Sequence, residues 1–191
     1  MPAALVVRIV FWLWLAAAIM AGRYLVLQRS PEATPVVLLG LTAFLIYAYF
    51  RFQSLREWVD ALPIRTLVLL HVTRFVGIAF LVLYQRGELP YAFAVPGGIG
   101  DIVVAVFALP VALAPLAAAQ RHRAIYIWNV VGLIDILLVV ATAMRINLSA
   151  PWQMRALTEL PLSLLPTFLV PLLIATHIVI FARLAKAPAG P

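Results

Sequence analysis

The chain has 191 residues, 65% of them hydrophobic and 11% charged, with a mean hydropathy of +1.08; soluble domains are about half apolar and about a quarter charged, so a soluble globular fold is excluded. The formal charge is +7, but the arginines lie one to three per loop instead of in one patch, which argues against a nucleic-acid partner and fits helix ends at a bilayer surface. Cysteine is absent, which excludes disulfides, cysteine-ligated zinc and iron–sulfur clusters.

At roughly 20 apolar residues per crossing, the chain accommodates about six spans and leaves no segment for a separate soluble domain. The expected fold is all-α, a polytopic transmembrane helical bundle forming a single domain over residues 1–191. The first span, 5–22, has Arg8 near its start, Arg23 after its end, and Trp12 and Trp14 within it. Ala16-Ala17-Ala18 resembles a signal-peptide cleavage site, but the apolar run continues through Met20 and tryptophans are unusual in a signal core, so the helix is expected to be retained. Pro35 suits the start of the second span, 36–50. The loop 51–63 mixes Arg51, Arg56, Glu57 and Asp60 with Trp58 and reads as a short interfacial segment.

The third span, 65–84, carries His71 and Arg74. Pro96-Gly97-Gly98 is expected to start the fourth, 99–119, and Arg121, His122 and Arg123 to form a tight basic loop with a solvated His122 before the fifth, 124–144. Ser149 before Pro151 predicts a helix start, with Trp152, Ala156 and Leu160 on one face of an interfacial helix over 151–160. The sixth span, 162–182, holds Pro166, Pro171 and His177, and the tail after Lys186 is expected to be disordered. With six spans, Arg8, Arg51, Arg56, Arg65, Arg121, Arg123, Arg183 and Lys186 fall on one side, and Arg23, Arg29, Arg86, Arg145 and Arg155 on the other. Eight against five predicts a cytoplasmic (inner) membrane protein with both termini in the cytoplasm.

Ionisable side chains at membrane depth are costly and mark interior sites by default. His71 is six residues past Arg65, His177 six before Arg183 and Asn129 six past Arg123, which puts all three at one depth, roughly 9 Å in. Arg74 and Asp135 fall near the midplane and are expected to pair. Gly132, between Asn129 and Asp135, permits close backbone approach. Gly97, Gly98, Gly100 and Asp101 read as a helix-start site near the opposite face, Asp101 capping free amides or lining a broken-helix ion site. The prolines of the last span free the carbonyls of Leu162 and Thr167, which are expected to point toward or beside His177.

The stretches P-G-G-I-G-D (96–101), W-N-V-V-G-L-I-D (128–135) and L-P-T-F-L-V-P-L-L-I-A-T-H (165–177) resemble a family of small multi-pass bacterial membrane proteins of unassigned function. The resemblance covers spans three to six and implies no activity.

Three functions stand side by side for the intramembrane cluster of His71, Arg74, Asn129, Asp135 and His177. One is translocation of a small solute, ion or proton, with His71 and Asp135 as proton carriers and Arg74 as an anion partner. The second is a b-type haem held by His71 and His177 for electron transfer, although no second pair relays electrons across the bilayer. The third is an accessory or assembly subunit, working with a partner subunit or as an oligomer, whose cluster only fixes packing. Enzymatic activity is less expected: no His-x-x-His-type spacing supports a catalytic metal, no Gly-Lys-Ser/Thr supports a phosphate loop, and Ser149 and Ser163 lie away from the depth of the histidines.

Overall fold

The computed structural model describes residues 3–186, so the tail 187–191 lies outside the described residues. The described residues are almost wholly helical, without strands. In chain order they form α1 (Ala3–Arg23), α2 (Val26–Arg29), α3 (Ala33–Arg51), α4 (Gln53–Asp60), α5 (Ile64–Leu70), a 3-10 segment (His71–Val76), α6 (Gly77–Gln85), α7 (Tyr91–Leu113), α8 (Ala118–Ser149), a second 3-10 segment (Pro151–Thr158), a π turn (Leu165–Leu169) and α9 (Val170–Lys186). Six helical runs are long and apolar enough to cross a membrane: Ala4–Arg23, Ala33–Arg51, Ile64–Gln85, Tyr91–Leu113, Ala118–Ser149 and Leu165–Lys186.

Four boundaries differ by five residues or more from those the sequence predicts, at both ends of α7 and both ends of α8. The fourth span starts at Tyr91, because Pro90 is the extended residue before it and its carbonyl accepts from Phe93 and Ala94. Pro96-Gly97-Gly98 is therefore inside α7, and the helix-start reading of Gly97, Gly98, Gly100 and Asp101 is corrected. The same helix stops at Leu113, since Ala114 precedes Pro115 and takes the extended backbone that position favours. Arg121, His122 and Arg123 then lie in the first turns of α8 instead of a loop, and His122 is not merely solvated: its Nε2 is 3.2 Å from the Leu184 carbonyl. At 32 residues, or about 48 Å, α8 is longer than a ~30 Å hydrocarbon core. Ser149 closes α8, its hydroxyl bonded to the Arg145 and Ile146 carbonyls, and the following stretch is a 3-10 helix.

The chain divides into two compact units: one takes the described residues through Ala61 with Ala143–Ala175, the other Leu62–Thr142 with Thr176 onward. In the first unit, Trp14 and Phe11 pack against Phe168 of the π turn, with ring centroids 4.5 and 5.2 Å apart. Pro171 cannot donate to the Thr167 carbonyl, and the Trp14 indole N–H does so instead at 2.9 Å. The Leu162 carbonyl accepts from the Leu165 amide. The freed carbonyls are thus taken by Trp14 of α1 and by the Leu165 amide. Asn147 binds the Pro31 carbonyl at 2.7 Å, and Tyr49 the Asp60 carboxylate at 2.9 Å.

The second unit packs the run α5–α6 along α7. Gly77 and Gly98 let the two backbones meet, since a Cβ on Gly77 would collide with the Gly98 carbonyl and lie 2.9 Å from the Asp101 Cβ. The run ends in a Schellman turn: Gly87 takes a φ of +73°, its amide binds the Tyr84 carbonyl, and the Glu88 amide binds that of Leu83. Arg183 of α9 donates to the Leu62 carbonyl just before α5, so the end of α9 and the start of α5 share one end of this unit.

Candidate functional site

The α5–α6 run of the second unit is interrupted where its polar residues sit. His71–Val76 winds as a 3-10 helix, in which side chains three apart stand directly above one another. His71 and Arg74 are therefore stacked along one line, buried to 0% and 1% exposure. Counted from its true start, α7 brings Asp101 in by ten residues, about 15 Å, and Arg74 is also ten residues from Ile64. The two runs are antiparallel and of 22 and 23 residues, so ten residues from each start is near the middle of both, where the side chains meet.

Arg74 is the centre of the first layer. Its Nε–H donates to Asp101 Oδ1 at 2.6 Å, its Nη1 to the Gly132 carbonyl at 3.0 Å, and its Nη2 to Asp135 Oδ2. The Asp135 carboxylate rests on Gly100, where any Cβ would overlap it. The pair expected between Arg74 and Asp135 is present, and Asp101, which the sequence reading placed near the opposite face, completes a trio. One guanidinium facing two carboxylates carries a formal charge of −1 with both ionised and zero with one proton added.

The histidines form the second layer. His71 and His177 lie with ring centroids 4.2 Å apart, and Trp128 closes the group edge-on to His71 at 5.0 Å. Asn129 holds His177 from both sides: its amide nitrogen donates to the His177 carbonyl at 3.0 Å, so its oxygen is the acceptor for His177 Nδ1–H at 2.8 Å. That fixes the Nδ1–H tautomer of the neutral ring and leaves Nε2 as a lone pair. His71 Nε2 pairs with Thr176 Oγ1 at 3.1 Å. His71 Nδ1 and His177 Nε2 are buried without a hydrogen-bond partner. Gly132 joins the layers. Its carbonyl accepts from Arg74, while a Cβ there would lie 2.7 Å from His177 Cε1 and 3.2 Å from Nε2.

All five residues expected to converge do so, and Asp101 and Gly100 join them from α7. Gly97 stands apart, packed against the Val139 side chain. Trp128 and Thr176 were missed, although each directly precedes a residue that was singled out; an indole or hydroxyl beside a buried Asn or His is the signal that was there.

Haem does not fit the histidine pair. An iron bound by both imidazoles at about 2 Å would hold the ring centroids roughly 6 Å apart with a macrocycle between them. At 4.2 Å the rings touch. Among the described residues, no group of three or more His, Asp or Glu is placed to hold a metal ion.

A family model described as a domain of unknown function (DUF8737) matches residues 31–185, the stretch that includes every residue of both layers. No curated protein and no solved structure matches the chain.

Proposed function

The chain belongs to the DUF8737 family, whose description assigns no activity, and from its own residues we propose a multi-pass protein of the cytoplasmic membrane that translocates a small cation or proton. The observation that carries this is the Arg74 guanidinium held between two carboxylates inside a spanning segment. A lone buried charge costs at least ~2.5–3.5 kcal/mol on insertion scales, so a trio with one uncompensated negative charge favours uptake of one positive charge. The Asp135 side chain, at 20% exposure, is the more open of the two carboxylates; that of Asp101 is 9% exposed. Asp135 is therefore the entry group and Asp101 the partner that keeps Arg74 in place.

The test is ion flux into proteoliposomes containing the purified protein, driven by a sodium or a proton gradient. Flux that disappears in Asp135→Asn supports the proposal. Wild-type vesicles no leakier than empty ones overturn it. An accessory role, favoured by the complete burial of both histidines, predicts that outcome together with co-purification of a partner subunit.

A further inference from the structure

We infer that the species moved is a proton, carried by one shared binding unit in which the Arg74–Asp101–Asp135 trio and His177 are joined across Gly132. This rests on the translocation reading above and names its substrate.

Three observations point to a proton over a metal cation or a solute. First, the atoms left without partners in the buried layer are the imidazole nitrogens His71 Nδ1 and His177 Nε2. Nitrogen lone pairs take protons readily, whereas sodium, like other hard cations, prefers a shell of oxygens. Three of the oxygens nearby, Asp101 Oδ1, Asp135 Oδ2 and the Gly132 carbonyl, already accept from Arg74. Second, the His71 and His177 rings touch and Trp128 packs against both, which leaves no room for a hydrated ion or a larger solute between them. Third, Asn129 takes the Nδ1–H of His177, which leaves the accepting lone pair on Nε2, at the edge of the ring that faces Gly132 with Cε1.

The charges balance with one proton. On entry an O–H bond forms at Asp135, and the trio passes from −1 to zero. When the proton moves on, that O–H bond breaks and an N–H bond forms at His177 Nε2. The imidazolium keeps its Nδ1–H bond to Asn129, and the two carboxylates offset His177 and Arg74 together, so the sum stays zero. The ring neighbours of His177 are His71 from the 3-10 segment and Trp128 from α8, and the charged group nearest to it is Arg74, which Asp101 of α7 and Asp135 of α8 hold from its other side. Asn129 is a positioning residue, and Gly132 is required because any side chain there would stand against His177 Nε2.

The experiment compares proton and sodium entry into the same proteoliposomes for the wild type, Asp135→Asn, His177→Gln and Gly132→Ala. Proton flux is expected in the wild type, without sodium flux, and each variant should lower it on the order of 100-fold, the usual scale for a lost proton-transfer group. A second measurement needs no variant in either layer: nitrogen-15 spectra of histidine-labelled protein carrying only His122→Gln should show a neutral His177 with its hydrogen on Nδ1. Absence of any flux in the wild type overturns the translocation reading itself. Sodium flux without proton flux leaves that reading standing and overturns the inference. Full proton flux in His177→Gln, or a hydrogen on His177 Nε2, overturns the relay.

Discussion

Arg74 and Asp101 meet at 2.6 Å with 1% and 9% of their side chains exposed, which makes this a buried ion pair between the α5–α6 run and α7. With Asp135 on the other side of the guanidinium, removing the cation costs more than removing one anion. Arg74→Leu leaves two buried carboxylates and should cost about 3–5 kcal/mol, as breaking a buried pair does. Asp101→Asn or Asp135→Asn leaves a neutral one-to-one pair that still accepts a hydrogen bond, and should cost about 1–2 kcal/mol. Thermal unfolding in detergent measures the order, and the triple change Arg74→Leu/Asp101→Asn/Asp135→Asn should recover most of the loss. Equal costs for the arginine and a single aspartate would refute the charge count.

Gly77 and Gly40 give a matched pair of alanine substitutions. A Cβ on Gly77 meets the Gly98 carbonyl and the Asp101 Cβ, both fixed to backbone, so Gly77→Ala should lose about 1–3 kcal/mol and displace Asp101 from Arg74. Gly40, on α3, has nothing within 4 Å, and Gly40→Ala should stay within about 0.5 kcal/mol of wild type. A tolerated Gly77→Ala would mean that the two helices are free to separate.

The bond from Trp14 to the Thr167 carbonyl exists because Pro171 has no amide hydrogen to offer. Trp14→Phe should therefore cost about 1–3 kcal/mol by leaving a buried acceptor unpaired. In a Pro171→Ala background, where the missing donor is restored, the same change should cost clearly less. A double-mutant cycle on thermal unfolding reads the difference, and strict additivity would show that the carbonyl finds another partner.

Reporter fusions address orientation. Those placed after Arg29, Gly87 and Ser149 should report the outside, and those after Asp60 and His122 the inside, following the eight-to-five excess of basic residues. Two or more reversed fusions would refute cytoplasmic termini.

Apolar runs of about 20 residues are a local property, so six helices long and apolar enough to cross a membrane were legible from the sequence to within a few residues at most ends. The matched depth of His71 and His177 was legible for a related reason: helix rise converts sequence distance from a flanking arginine into depth, whatever the neighbours are. Legibility failed where one local signal had two readings. Pro96-Gly97-Gly98 looks like a helix start, and only the extended Pro90 decides that α7 begins earlier and carries Asp101 to the level of Arg74. Ser149 before Pro151 looks like a cap, yet its hydroxyl turns back onto α8. Which residues share an interior is a different kind of fact. Spacing along one helix fixes a face but not which helix that face meets, so the second carboxylate on Arg74, the contact of the two imidazoles and the place of Gly132 between the layers were decided by tertiary packing. There the close approach allowed by Gly77, Gly98, Gly100 and Gly132 brings α7 and α8 within hydrogen-bond reach of one guanidinium on the α5–α6 run.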